Sequence, residues 1–271
     1  MPGWNLERAA DGALTSLVLP GYNPGRFIDQ TWHEVREFLR RAPGHWEAIF
    51  VCDGCTDGSA ERLQQLAQEE PDRVRVIAYA PNRGKGHAVR RGLEAARGRW
   101  RLFTDIDLAY GFDDILRVAE ALRGGADVAI ASRLHPESRL VLAPSLQGYA
   151  YRRHLQSLVF SALVRRLLPV KQRDTQAGLK GLSAPAVRRL LPLLHCDGFG
   201  FDCELLTASA HLNLKVAEVP VCVRYHDAGS TTGAASMLRM VRELWQIRRG
   251  WRAAALPAVP AEAAANYREA A

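Results

Sequence analysis

The sequence predicts an α/β fold with a mostly parallel central sheet, because short β-rich runs alternate with segments of helical period in its first half. The helical segments lie near residues 27–41, 58–70, 86–97 and 113–123. The β-rich runs are residues 14–20, 46–52, 73–80, 99–105 and 126–132. Ligands of such sheets bind at the carboxyl ends of the strands, so functional residues are expected just after each run.

Length and composition are typical of a globular protein. The chain has 271 residues, of which 48% are hydrophobic and 24% charged, enough for one large or two small domains. Its five cysteines are odd in number, and neither a secretory signal nor an apolar run of about 18 residues is found. We therefore expect reduced thiols, a cytoplasmic location and no membrane span.

The positive charge is concentrated in the second half of the chain. Residues 133–252 contain 18 Lys and Arg against 8 Asp and Glu, and the formal net charge of the whole chain is +7. This excess predicts an anionic partner, which could be nucleic acid, an acidic membrane surface or a phosphorylated substrate; a solvated basic face is the alternative. No recognition motif accompanies the charge, so nucleic acid is not expected.

The sequence TDID follows the fourth predicted strand and suggests a metal site. In extended geometry the carboxylates of Asp105 and Asp107 would point to the same side, where a hard cation such as Mg²⁺ or Mn²⁺ would neutralise them. The alternative is a pair of exposed aspartates at a turn. The position at a strand end favours the metal.

A glycine-rich loop, NRGKG at residues 82–86, places Lys85 just before a predicted helix. Exposed backbone N–H groups, a helix N-terminus and a cation together predict a phosphate site. The loop is neither a P-loop nor a G-x-G-x-x-G dinucleotide motif. An ordinary glycine-rich loop with a solvated lysine is the alternative.

The stretch CDGC raises the question of a zinc or redox site at Cys52 and Cys55. The other cysteines, at 196, 203 and 222, provide no second ligand pair for zinc. A thioredoxin-like pair would open a helix, whereas this pair closes a predicted strand. We therefore expect Asp53, rather than the cysteines, to be the functional residue of this stretch.

Taken together, seven ordered motifs resemble those of family 2 glycosyltransferases with the GT-A fold. Within that family the chain is most similar to the dolichyl-phosphate glucosyltransferase and dolichyl-phosphate mannose synthase branch, over roughly residues 14–250. The motifs are P-x-Y-N (20–23), D-G-x-T-D-x-S (53–59), N-R-G-K-G (82–86), D-x-D (105–107), S-R (132–133), R-D-T-Q-x-G-x-K (173–180) and F-D-x-E-L-L (201–206). The resemblance implies transfer of a hexose from a nucleotide diphosphate sugar to a polyprenyl phosphate, with inversion at the anomeric carbon.

The resemblance also implies a role for each matching position. Donor-binding residues would be Pro20, Tyr22, Asp53, Lys85, Asp105, Ile106 and Asp107. Asp105 and Asp107 would bind Mg²⁺ or Mn²⁺, and Arg133 would receive the acceptor phosphate. The implied catalytic group comprises Asp107, Arg133, Asp174, Gln176, Lys180 and Asp202, with Asp174, Gln176 and Lys180 lining the sugar and acceptor side.

Four positions depart from the family pattern. Cys52 and Cys55 replace an aspartate and a serine, and Pro24 stands where a glutamate is usual. Ala109 stands where mannose synthases often have a glutamine that helps to bind metal. The last departure favours UDP-glucose over GDP-mannose as the donor.

The nature of the acceptor decides whether a general base is needed. A hydroxyl must lose a proton during attack, whereas a phosphate monoester is already ionised near neutral pH. For a hydroxyl acceptor the candidate bases are Asp174, Asp202 and Glu204. Alternatively, Asp202 and Glu204 only open a helix and interact with its dipole.

Two basic amphipathic segments, residues 146–171 and 236–252, suggest peripheral contact with an anionic membrane surface. In the second segment Met237, Met240, Val241, Leu244 and Trp251 share a face. Packing of that face into the core is the alternative. We expect a GT-A catalytic domain at 14–232, a basic C-terminal helix at 233–252 and a disordered tail at 253–271.

Two other enzyme classes are alternatives. A soluble family 2 glycosyltransferase acting on a hydroxyl of a small molecule or glycan is one alternative. A sugar nucleotidyltransferase is another, although PGYNPGR is a poor match to the glycine-rich, arginine-containing loop expected after its first strand. His226 is expected to be a loop histidine rather than a metal ligand.

Overall fold

A seven-stranded sheet with helices on both faces forms the centre of the protein. The structure is a computed structural model that describes residues 12–141, 147–224 and 234–253. The strands are β1 (Leu14–Gly21), β2 (His45–Asp53), β3 (Val74–Tyr79), β4 (Trp100–Phe103), β5 (Val128–Ser132), β6 (Arg139–Val141), β7 (Lys180–Ser183), β8 (Val216–Pro220) and β9 (Cys222–Arg224). The helices are α1 (Ile28–Arg41), α2 (Ser59–Ala67), α3 (Lys85–Ala95), α4 (Phe112–Arg123), α5 (Gln147–Leu167), α6 (Ala184–Leu190), α7 (Phe201–His211) and α8 (Ala234–Ala253).

The predicted alternation of strands and helices is confirmed for β1 to β5 and α1 to α4. The strand order in the sheet is β3-β2-β1-β4-β7-β5-β8, and β6 pairs with β9 in a separate two-stranded sheet. The order reverses between β1 and β4, so the carboxyl ends of these two strands flank the crevice in which open α/β sheets bind ligands.

Strand β7 is antiparallel to its neighbours, and the sequence did not predict it. Lys180, its first residue, pairs with Phe103 at the end of β4 and with Ile130 near the end of β5. An antiparallel strand begins at the edge where its neighbours end. The R-D-T-Q-x-G-x-K motif, which leads into β7, is thereby brought to the carboxyl edge of the parallel strands.

The apolar residues of the central strands are buried on both faces of the sheet. In β1, Leu17 and Leu19 pack with α1, α2 and α4, whereas Val18 faces the opposite layer formed by α3, α5, α6, α7 and α8. Burial on both faces explains why these strands read as continuous hydrophobic runs.

Helix α8 packs into the second of these layers. Met240 and Leu244, which belong to its predicted membrane-facing side, are buried, so the core-packing alternative is correct for them. Trp245 is 53% exposed on the outer side of the helix. The side chain of Met237 and the tail after residue 253 lie outside the described residues. None of the described helices is long and apolar enough to cross a membrane.

Candidate active site

The D-x-D segment forms a turn, so the prediction of extended geometry is wrong. Strand β4 ends at Phe103, and the N–H of Leu108 donates to the carbonyl oxygen of Asp105 at 3.1 Å. Leu108 has a φ of 48°, in the left-handed region that a tight turn requires. As a result the side chain of Asp107 is exposed, whereas that of Asp105 pairs with Lys85.

Four side chains of alternating charge connect the D-x-D turn to the interior. Asp105 Oδ1 lies 2.8 Å from Lys85 Nζ, which lies 3.9 Å from Asp202 Oδ2. Asp202 Oδ1 in turn lies 2.6 Å from Lys180 Nζ. We call this row, Asp105–Lys85–Asp202–Lys180, the charge chain. Asp202 and Lys180 are fully buried, so within this arrangement they act by holding Lys85 and Asp105 in place.

The charge chain keeps Lys85 protonated. Burial by itself favours the neutral amine, but the carboxylates of Asp105 and Asp202 outweigh burial and raise the pKa of Lys85. The surrounding protein and the negative charge of Asp105 raise the pKa of Asp107. A cation next to an accessible carboxylate is an arrangement that suits a metal-bound diphosphate.

Gly178 allows the segment that leads into β7 to lie close to the D-x-D turn. A Cβ at this position would overlap Oδ2 of Asp105 and lie 3.6 Å from the Tyr110 ring. Neither Gly178 nor Tyr110 was singled out from the sequence, although Gly178 belongs to a quoted motif. Tyr110 follows the D-x-D turn but belongs to none of the quoted motifs, so the sequence did not indicate a role for it in the site.

Asp53 holds the glycine-rich loop instead of facing open solvent. Its carboxylate accepts hydrogen bonds from Asn82 Nδ2 and from the N–H groups of Arg83 and Gly84, at 2.8 to 2.9 Å. Gly54 permits this contact, since it has a φ of 68° and a Cβ there would overlap the Asn82 nitrogen. The D-G pair of the CDGC stretch therefore sets the position of the loop that carries Lys85.

The sequence predicted that exposed N–H groups of this loop would bind a phosphate. That prediction is wrong for four residues, because their N–H groups are already hydrogen-bonded. Besides Arg83 and Gly84, the N–H groups of Gly86 and His87 are used, because both donate to the carbonyl oxygen of Asp197. These four N–H groups are therefore not available to an anion, whereas the Lys85 ammonium lies beside the D-x-D turn.

Arg133 and Asp174 form the second ion pair of the site. Nε and Nη2 of Arg133 donate to the two carboxylate oxygens at 2.7 and 2.8 Å, and the Arg133 N–H adds a third bond at 2.9 Å. Burial by itself raises the pKa of Asp174, but these bonds and the guanidinium charge outweigh burial and hold the pKa below its usual range.

The remaining predicted residues lie around these ion pairs. Pro20 is buried in β1, and Tyr22, just after it, is 55% exposed. The Ile106 side chain packs over Gly21 at the switch between β1 and β4, and the Ile106 carbonyl accepts from Thr31 Oγ1 at 2.8 Å. Gln176 Nε2 donates to Cys203 Sγ at 3.2 Å.

The cysteines of the CDGC stretch are both reduced in this structure. Cys55 Sγ accepts from the Asn23 N–H at 3.3 Å and donates to the Gly21 carbonyl at 3.6 Å. Burial, followed by the neighbouring Cys55, raises the pKa of Cys52 to about 12. Thiols this reluctant to ionise are poor nucleophiles and metal ligands.

The D-x-D turn offers suitable donor atoms for a hard divalent cation. Asp107 presents an accessible carboxylate whose only bond among the described residues comes from the Ala109 N–H, at 3.2 Å. Within the described part of the chain no cluster of three or more metal-ligating side chains occurs. Diphosphate and water oxygens would therefore have to complete the coordination of Mg²⁺ or Mn²⁺. His226 lies outside the described residues.

The three carboxylates predicted as general bases are already engaged. Asp174 is paired with Arg133, and Asp202 with Lys180. Glu204 Oε2 accepts from the N–H groups of His195 and Cys196 at 2.9 and 2.8 Å. Arg133 stabilises the anionic form of Asp174 and lowers its pKa, which makes Asp174 a weak base. Burial raises the pKa of Glu204, but its Oε2 is already occupied by the two backbone N–H groups.

The Arg133–Asp174 pair predicts an acid-dependent loss of stability. Because the pKa of Asp174 is lower in the folded state, its stabilising effect is complete above its usual pKa and is lost as the pH falls through the folded-state value. We expect Asp174→Asn to lower the free energy of unfolding by about 3 kcal/mol near neutral pH, since it breaks a buried pair. Urea denaturation across the acid range measures this difference, which should shrink below a pH of about 4.

The matched control is Asp113→Asn, which changes an exposed carboxylate in the first turn of α4. It should leave the free energy of unfolding within about 0.5 kcal/mol of wild type. A difference between Asp174→Asn and wild type that stays constant down to the acid limit would contradict the assignment.

Comparison with known proteins identifies the family of the chain. The model of the family "Glycosyl transferase family 2" matches residues 16–191. A dolichyl-phosphate β-glucosyltransferase from Saccharomyces cerevisiae is 28% identical, over 93% of this chain and 79% of the relative. The corresponding enzyme from Drosophila melanogaster is 32% identical, over 86% of this chain and 73% of the relative.

Solved structures share the fold at low identity. Glucosyl-3-phosphoglycerate synthase from Mycobacterium tuberculosis, crystallised with Mn²⁺, UDP-glucose and phosphoglyceric acid, superposes with a TM-score of 0.64 at 21% identity. The match covers 92% of this chain and 85% of that one. The predicted GT-A fold is thereby confirmed. The chain belongs to glycosyl transferase family 2, as a nucleotide-sugar hexosyltransferase similar to the dolichyl-phosphate glucosyltransferase branch.

Proposed function

We propose that the protein transfers glucose from UDP-glucose to the phosphate of a polyprenol, with inversion at the anomeric carbon and with Mg²⁺ or Mn²⁺ bound at Asp107. The relatives named as dolichyl-phosphate β-glucosyltransferases support the acceptor and the sugar. The M. tuberculosis enzyme of the same fold, crystallised with UDP-glucose and Mn²⁺, supports the donor and the metal. Mannose from GDP-mannose is the next candidate.

The observation that carries the proposal is that Asp174, Asp202 and Glu204 are all engaged. A hydroxyl acceptor would need one of them as a base, whereas a phosphate monoester attacks as an anion and needs none. Asp174 is the clearest case, because its pKa is lowered by Arg133. The site is better suited to hold a phosphate than to deprotonate a hydroxyl.

The reaction is a single displacement. An oxygen of the acceptor phosphate forms a bond to the anomeric carbon, and the bond from that carbon to the donor diphosphate breaks. The electron pair leaves with the diphosphate, so no proton has to move. Lys85 is positioned to stabilise the charge that develops there. A bound divalent cation would supply further positive charge to the leaving group.

Exposed apolar and basic side chains near Arg133 support a lipid acceptor. Arg133 Nη2 donates to Ser157 Oγ of α5 at 3.5 Å, and the next two residues, Leu158 and Val159, are 40% and 65% exposed. Leu140 and Val141 of β6 are also about half exposed, at 45% and 52%. Arg139, the first residue of β6, is exposed, and so is Arg173, which precedes Asp174. We call Leu140, Val141, Leu158 and Val159 the apolar rim.

Transfer of label into the lipid phase tests the proposed function directly. With radiolabelled UDP-glucose, polyprenyl phosphate and Mg²⁺, the wild type should produce organic-extractable label. Asp107→Ala should reduce that rate by about 100-fold or more, because it removes the carboxylate that would hold the charge-stabilising metal ion. Asp113→Ala, which removes a nearby exposed carboxylate, should retain the wild-type rate.

Three outcomes of this assay would contradict the proposal. Label that enters the lipid only from GDP-mannose would overturn the choice of donor. Label that stays in the aqueous phase with every donor would overturn the acceptor and favour a hydroxyl compound. Full activity of Asp107→Ala would show that the metal assignment is wrong.

The apolar rim also leads us to propose peripheral contact with an anionic membrane surface. The wild type should sediment with vesicles that contain anionic lipid at low salt, because arginines near an apolar surface favour the headgroup layer. Val159→Glu should weaken binding several-fold, since it places a carboxylate in that layer. Gln65→Glu, an exposed change on α2, is the control and should bind like wild type. Equal binding of both variants would contradict a contact through the rim.

A further inference from the structure

Glu243, in the middle of α8, contacts the N-terminus of α7. Its Oε2 accepts a hydrogen bond from the N–H of Gly200 at 2.7 Å. Gly200 is the residue that precedes α7, and no side chain of its own caps the helix. A carboxylate at a helix N-terminus stabilises it through the unpaired N–H groups and the helix dipole.

Two glycines provide the space for this carboxylate. A Cβ at Gly200 would lie 2.9 Å from Glu243 Oε2, and a Cβ at Gly198 would overlap Glu243 Oε1. The segment from 197 to 200, which we call the α7 entry loop, is therefore shaped around the Glu243 side chain.

The α7 entry loop also holds the first turn of α3. The carbonyl oxygen of Asp197 accepts from the N–H groups of Gly86 and His87, at 2.8 and 3.3 Å. The Asp197 carboxylate pairs with Arg90, one turn further along α3. These bonds hold the residues that directly follow Lys85, the first residue of α3. A shift of the loop would therefore move the Lys85 backbone.

The same loop leads directly to the charge chain. Asp202, two residues after Gly200, carries the carboxylate that faces Lys85 and Lys180. Glu243 is thus connected to Lys85 by two routes, through Asp197 and α3 and through Gly200 and Asp202.

The α7 entry loop and α8 border a common cleft. The cleft has a volume of about 560 Å³, and Leu193, Cys196, Ile247 and Trp251 are among the residues that line it. Glu243 also borders this cleft, and its bond to Gly200 crosses between the two elements. A charge-assisted hydrogen bond is stronger than a neutral one, so the bond from Gly200 to Glu243 helps to fix the position of the loop beside the cleft.

We propose that Glu243 is a positioning residue for the donor site, which acts through the α7 entry loop on Lys85 and Asp202. The inference rests on the proposed donor function of that site. Glu243 itself does not touch the donor. Its loss lets the α7 entry loop shift, so that Lys85 spends less time in contact with Asp105 and the diphosphate is bound less tightly.

Binding of UDP with Mg²⁺, measured by titration calorimetry, tests this role. Glu243→Ala should weaken binding about fivefold to tenfold, the loss expected for one typical hydrogen bond. Glu243→Gln keeps an oxygen acceptor for the Gly200 N–H and should stay within about threefold of wild type. Arg242→Ala, an exposed neighbour on α8, is the control and should bind like wild type.

Thermal melting of each variant separates positioning from stability. Should Glu243→Ala not fold, Glu243→Asp replaces it, because its carboxylate is one methylene too short to reach Gly200, and it should also bind UDP more weakly. Wild-type affinity in the Ala or Asp variant, even with a lower melting temperature, would overturn the proposal. So would a Gln variant as weak as the Ala variant. A wild type that binds no UDP would instead refute the proposed function itself.

Discussion

The buried ion pair between Lys180 and Asp202 is the interaction on which the donor side of the site depends. It joins the first residue of β7 to the first turn of α7, with 2.6 Å between Nζ and Oδ1 and almost no exposure of either side chain. Because an unpaired buried charge is costly, replacing either residue alone would strongly destabilise the protein. The second oxygen of Asp202 then faces Lys85, and Lys85 reaches Asp105 in the D-x-D turn.

The antiparallel direction of β7 makes this pairing possible. A parallel strand in the same place would begin at the opposite edge of the sheet and carry Lys180 away from the crevice. As it is, the segment that leads into β7 brings Asp174 to Arg133 and Gly178 to Asp105, so both ion pairs of the site depend on one strand. The proposed donor and acceptor sides share this segment, while α3 and α7 approach Asp105 from elsewhere in the chain.

Sequence patterns predicted the strands and helices of the first half, since burial on both faces makes β1 and β2 uniformly apolar. They did not predict β7, because its four residues, KGLS, begin with a lysine and contain a glycine. The ordered motifs identified the residues of the site but not their partners. Asp53 bonds to a loop 30 residues away, and Asp202 to Lys180 across the sheet; such contacts have no local signature. The turn at Asp105 was missed because the predicted strand was extended to residue 105, whereas β4 ends at Phe103, its last apolar residue.

The central claim, that the buried pair acts on the donor through Lys85, is tested most directly by a double-mutant cycle. UDP affinity in the presence of Mg²⁺ is measured for wild type, Lys85→Met, Asp202→Asn and the double variant. If the two residues act as one unit, the affinity lost in the double variant should be little more than the larger of the two losses in the single variants. Losses that add within about 0.5 kcal/mol, as they do for independent sites, would contradict the account.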